Sequence, residues 1–147
     1  LRRNPCLQVH FRAMISIIVS EAYAFDYLSI LYVKDENFVG DFIHRQQIIN
    51  CIQSWVGAHG YCKIMESPEF KVLMESNRAV WRLVGKASKD ECKASEVDAA
   101  NQLRYAAKKA LQERFWPSKP LAEMKSLRPG DLPSIAHKPT VPIVGGG

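Results

Sequence analysis

The sequence predicts an all-α fold: a compact antiparallel bundle of about four helices, with a short extended N-terminal arm and a Pro-rich C-terminal tail. Three observations carry this. Apolar residues recur at helical spacing in four stretches between residues 20 and 116. Each stretch opens or closes on a capping or helix-breaking residue. Of the eight prolines, six (Pro117, Pro120, Pro129, Pro133, Pro139, Pro142) fall in the last 31 residues, which leaves the part before them nearly free of breakers.

Taken in order, residues 1–13 precede the first Met, Met14, and are set aside as an upstream segment. Ile15 to Val19 are β-branched apart from Ser16, which suits an extended arm or one short strand. Ser20-Glu21 opens the first helix, which runs to Glu36 with Tyr23, Ala24, Tyr27, Leu28, Ile30, Leu31 and Val33 spaced for broad burial. The second helix spans Asp41 to Val56 and stops before Gly57 and Gly60. Ser67-Pro68-Glu69 combines a cap, a first-turn proline and an acid at the positive end of the dipole. The third helix runs from there to about Gly85, facing Phe70, Leu73, Met74, Val80, Trp81 and Val84 inward.

Ser95-Glu96-Val97-Asp98 reads as a capping box, and a fourth helix from Glu96 to Phe115 follows. Its alanines let a neighbour come close, so Leu103, Leu111 and Phe115 must supply most of its packing. Four rods of 25–30 Å, at about 1.5 Å per residue, joined by short connections make a bundle. The helical domain is thus 14–116. The tail, 117–147, is expected to dock along the surface to about residue 127.

The charge is peripheral. The net +5 comes from Arg2, Arg3 and Arg12 in residues 1–13 and an excess of two in 117–147, whereas 14–116 holds 13 basic and 13 acidic side chains. A phosphate-binding domain concentrates its cations on the folded part, so nucleic acid is not the expected partner. No apolar run reaches the 18 or so residues of a spanning helix, so no membrane partner is expected. Cys6, Cys51, Cys62 and Cys92 form no C-x-x-C pair and have no histidine at ligand spacing. They imply a reducing, cytoplasmic setting, with no metal and no cofactor. His10, His44, His59 and His137 complete no nucleophile–base–acid motif.

Polar residues stand where the pattern asks for apolar ones. Asn77 is in register with Phe70, Leu73, Met74 and Trp81 on the third helix, and a buried amide left unsatisfied costs about 1–3 kcal/mol. On the fourth helix Asn101, Arg104 and Lys108 form one polar row; the first helix offers Asp26 and, two turns on, Lys34. Two readings follow. In one, Asp26 pairs with Arg104, the amides bridge helices and Lys108 is solvated. In the other, Lys34, Asn77, Asn101, Arg104 and Lys108 converge on a small anion, the Arg fork matching a carboxylate or phosphate.

The order Val19-Ser20, Asp26, Ser29-Ile30-Leu31, Val33-Lys34, then Asn77 with Trp81, Asn101 with Arg104 and Lys108, and Glu123 with Lys125 resembles a family of small, mostly helical bacterial and phage proteins of unknown function. The chain departs from the family pattern at Tyr27, Gln102 and Ala122. The resemblance spans about residues 15–125. It implies a compact helical domain, an association with glycosyltransferase or surface-polysaccharide loci, and Asp26, Lys34, Asn77, Trp81, Asn101, Arg104, Lys108 and Glu123 as the residues to inspect. It further implies that Glu123 and Lys125 fold back on the bundle. Asp26, Trp81 and Glu123 are assigned structural roles, with Trp81 in the core.

The expected function is a non-enzymatic interaction or regulatory module. It is expected to be a homodimer, because Tyr23, Phe25, Tyr27 and Tyr32 cannot all face one core from a single helix. The alternative is a small helical enzyme or sensor that binds an anionic metabolite through Arg104 and Lys108.

Overall fold

A computed structural model describes residue 15 and residues 17–122. Four helices follow one another: α1 (Glu21–Glu36), α2 (Phe42–Met65), α3 (Pro68–Ala87) and α4 (Ala94–Phe115). They form an all-α bundle in which α1 packs against the other three. Glu69 of α3 meets Arg114 of α4, and Cys92, just before α4, donates to the Leu83 carbonyl, so α3 and α4 run antiparallel. Ala22 and Asp26 on α1 meet Gln112 and Arg104 on α4 in the same antiparallel sense.

The core lies where the four helices meet. Phe25, Leu28 and Val33 of α1, Ile52 and Ile64 of α2, Phe70 and Leu73 of α3, and Ala107 and Leu111 of α4 are buried together. Phe25 is its centre, with the rings of Tyr61, Phe70 and Trp116 at centroid distances of 6.4, 6.2 and 6.1 Å. Of the four α1 aromatics, Phe25 is buried and Tyr32 packs on the core, whereas Tyr23 and Tyr27 are exposed, the Tyr27 hydroxyl lying 2.7 Å from His44 Nε2.

Two of the three helix-to-helix turns close on a Schellman pattern. After α1, the Phe38 and Val39 amides donate to the carbonyls of Asp35 and Lys34; after α3, Asp90 and Glu91 donate to Ala87 and Lys86. The residue that turns left-handed in each is not glycine but Phe38 (φ 62°) or Asp90 (φ 56°). Gly40 is needed for close approach, since a Cβ there would fall 2.8 Å from Asp35 Cα.

Several boundaries differ from expectation. Gly57 does break the second helix, with φ 78° and ψ 158°, but the chain re-enters helix at once and continues to Met65. Packing decides this: Tyr61, Ile64 and Met65 join the core, outweighing the cost of about 1 kcal/mol for Gly60 in a helix. The cap of α4 is not Ser95. The helix begins at Ala94, and the Glu96 carboxylate accepts from the Lys93 amide at 2.8 Å, which is half of a capping box two residues earlier than read. Leu103 faces solvent instead of the core. Residues 17–20 form neither helix nor strand, Ser20 at the start of α1 having an extended backbone, and no strand occurs among the described residues. Residues 1–13, Glu123 and Lys125, and the expected docking beyond residue 122 lie outside the described residues.

Candidate functional site

One residue of α1 organises the seam between α1, α3 and α4. Asp26 is 2% exposed, on the face of α1 that also carries Ala22, Phe25 and Ser29 inward. Its carboxylate accepts from four donors. Arg104 of α4 approaches side-on, Nε 3.1 Å from Oδ1 and Nη2 2.6 Å from Oδ2. Lys108, one turn further along α4, places Nζ 3.2 Å from Oδ2, and Asn77 of α3 donates to Oδ1 at 2.9 Å.

Second contacts hold these groups in place. Asn77 Nδ2 also lies 2.6 Å from Ser29 Oγ and 3.3 Å from the Leu73 carbonyl, while Ser29 Oγ donates to the Asp26 carbonyl at 2.6 Å. The Lys108 ammonium sits 5.3 Å from the centroid of the Tyr23 ring. Burial by itself would push the Asp26 carboxyl up. The hydrogen bonds from Arg104 and Asn77 and the charges of Arg104 and Lys108 outweigh it, and Asp26 is held below the ordinary aspartate value.

The structure therefore brings together Asp26, Asn77, Arg104 and Lys108, and adds Ser29. Lys108 is not solvated, as the first reading had it, but 3% exposed, with its ammonium on Asp26. Asn101 does not reach another helix and turns back to the Val97 carbonyl of its own at 3.2 Å. Lys34 is exposed in the last turn of α1, away from the seam. Trp81 is not core but 37% exposed. With Val80 and Val84 it rims a cavity of about 150 Å³, which Asn77 and Arg104 line at its polar end. A large ring at the edge of so small a recess has no room to be covered fully.

A second polar centre escaped the sequence reading. Gln112 is 1% exposed and lies one turn beyond Lys108 on the same row of α4. Its Oε1 accepts from the Ala22 amide at 2.9 Å, and its Nε2 donates to Glu21 Oε2 at 3.0 Å and the Lys119 carbonyl at 3.1 Å. A residue of α4 thus satisfies an orphan amide at the start of α1, a task Ser20 does not perform, because Ser20 Oγ accepts from the Ala122 amide at 2.8 Å. Burial would raise the Glu21 carboxyl, but Gln112 and Lys119 hold it below its usual value. The signal was present: continuing Arg104 and Lys108 by four residues arrives at Gln112.

Other features are simpler. Among the described residues no group of three or more His, Cys, Asp and Glu side chains is placed to hold a metal ion, and no helix is long and apolar enough to cross a membrane. An open recess of about 440 Å³ lies at the start of α3, where Arg114 Nε is 3.5 Å from Glu69 Oε1. A mainly apolar groove of about 490 Å³ lies between residues 17–19 and α2, lined by Ile17, Ile18, Phe25, Ile52 and Trp55 with Glu21 among them. The chain matches no family model, no curated protein and no solved structure.

Proposed function

We propose that this chain is a non-catalytic helical interaction module, whose buried polar seam sets the register of its helices. One observation carries the reading: the Arg104 fork, the group best suited to grip an external carboxylate or phosphate, is spent side-on on the chain's own Asp26. Lys108 and Asn77 point at the same carboxylate. A seam so satisfied orients helices and leaves the recognition of a partner to the surface. The family resemblance would give the module a setting in surface-glycan or phage biology.

The alternative, a small helical enzyme or sensor for an anionic metabolite, draws on the cavity beside Trp81, which Arg104 and Asn77 line. To bind there, an anion would have to compete with Asp26 for Arg104. The test compares wild type with Arg104→Ala and Arg104→Lys by thermal unfolding, with and without a panel of carboxylates and phosphates. A structural seam predicts a loss of about 3–5 kcal/mol in the alanine variant and no anion that raises the wild-type melting point. An anion that raises the wild-type Tm by several degrees, but not that of Arg104→Lys, would reverse the assignment.

A further inference from the structure

The buried amide of Asn77 uses one of its two ends. Nδ2 donates to Asp26 Oδ1 at 2.9 Å, to Ser29 Oγ at 2.6 Å and to the Leu73 carbonyl at 3.3 Å. That orientation is forced. A reversed amide would set its oxygen against the Asp26 carboxylate, and the Ser29 hydroxyl could not donate to it, because its proton already goes to the Asp26 carbonyl. Oδ1 therefore looks away from the carboxylate. Among the described residues no group donates to this oxygen, and it is not walled in. Asn77 as a whole is only 5% exposed, so the acceptor opens onto the small cavity that the residue lines beside Trp81. An acceptor held in a sheltered place without a donor is costly, and a ligand that brings one relieves that cost.

We infer that this cavity binds a small neutral ring carrying one hydrogen-bond donor, a phenol in the simplest case, with its hydroxyl on Asn77 Oδ1. Apart from its polar end the cavity is apolar: Ile30 and Val33 come from α1, Val80 and Val84 from α3, and the Trp81 ring stands at the rim as a flat surface for stacking. Its volume of about 150 Å³ suits one benzene-sized ring. It is well below the roughly 300–1,000 Å³ of sites for cofactors and drug-sized molecules. Charged ligands are disfavoured in both signs. An anion would meet the negative end of the Asn77 amide with the Asp26 carboxylate behind it, while the Arg104 fork is already laid side-on against Asp26. A cation would meet the Arg104 guanidinium and aliphatic walls that cannot solvate it. A ring with no donor would cover Oδ1 and leave it unpaired. The inference goes beyond the module reading and does not depend on it, because the seam stays intact while the ring sits beside it.

The test titrates the whole chain at pH 7 with phenol, toluene and benzoate, three probes of similar size that are a neutral donor, a neutral ring without a donor and an anion. Binding is followed by the amide and side-chain cross-peaks of a nitrogen-15-labelled sample. The expected result is that phenol saturates at millimolar concentration or below, moving the Trp81 indole and Asn77 carboxamide signals. Toluene should bind at least about tenfold more weakly, and benzoate should not saturate. Val84→Phe, at a half-exposed position on the mouth of the cavity, should abolish the phenol shifts while helical content and Tm are kept. Failure of phenol to saturate overturns the inference. So does equal binding of phenol and toluene, which would deny Asn77 Oδ1 its role, or shifts that miss Trp81 and Asn77 or persist in Val84→Phe, which would put the ring elsewhere. Benzoate binding more tightly than phenol would overturn it in favour of the anion site. The comparison of phenol with toluene is made on the wild type, so it decides the matter even if Val84→Phe folds poorly.

Discussion

Arg104 holds Asp26 with two parallel hydrogen bonds, 3.1 Å from Nε and 2.6 Å from Nη2, across the interface of two helices whose paired residues are 78 positions apart. The arginine is a quarter exposed and the aspartate almost fully buried, so the pair sits at the mouth of the seam with its anion inside. Lys108 and Asn77 approach the same carboxylate from deeper in the seam. A side-on geometry fixes both the axial position and the rotation of α4 relative to α1, which a single point charge would not do.

Removing the anion should therefore cost at least as much as removing the outer cation. Asp26→Asn leaves Arg104 and the buried Lys108 facing each other without the carboxylate they share, and a loss of about 3–5 kcal/mol in urea unfolding is expected. Asp26→Asn and Arg104→Ala together should lose less than the sum of the single effects, by about 1–3 kcal/mol. Additive losses would show that the two residues act separately.

The pH dependence has a definite sign. Asp26, Glu21 and Glu36 are all held below their ordinary values in the folded chain, Asp26 and Glu21 against the effect of burial and Glu36 chiefly by its bonds to Arg78. Their stabilisation is complete above the unfolded carboxyl values of about 4 and is lost as pH falls through the lower folded values. The urea midpoint should be level from pH 8 to 5 and then fall. Asp26→Asn should flatten that acid limb most, whereas Glu36→Gln, at an exposed pair, should barely change it.

Gln112 links the start of α1 to the chain segment after α4. Gln112→Ala would orphan the Ala22 amide and remove a donor from Glu21, at a cost of about 1–3 kcal/mol. Hydrogen exchange should show the first turn of α1 opening more often while the Asp26 seam stays protected. Uniform loss of protection throughout would mean the contact has no local role.

Two left-handed residues should respond in opposite directions. At Gly57, φ 78° with ψ 158° is a conformation open essentially to glycine alone, so Gly57→Ala should cost about 1–3 kcal/mol although nothing crowds the site. At Phe38 the exposed ring sits in a left-handed turn where glycine is the natural residue. Phe38→Gly should leave stability unchanged or raise it by up to about 1 kcal/mol. Thermal melts of the two variants decide both.

Helix existence and type were legible in the sequence because periodicity and caps are local. Ser20, Ser67, Pro68 and the apolar rows of α1 and α3 report on a few turns of backbone and need no partner to be understood. Asn77 within an apolar row likewise announced a buried amide, and Arg104 and Lys108 announced a polar row. What the row would do was a matter of distance between residues far apart in the chain.

Only the folded chain decided that Lys108 is buried and Asn101 is not joined to the seam, that Gln112 serves the start of α1, and that Trp81 rims a cavity instead of filling the core. It also carried α2 through a glycine to Met65. Each outcome depends on which faces of separate helices meet, and that is set by the packing of Phe25, Leu73 and Leu111 together, a sum over long-range contacts that no local window contains. Residue types determined which side chains could answer one another; the crossing of the helices selected the ones that do.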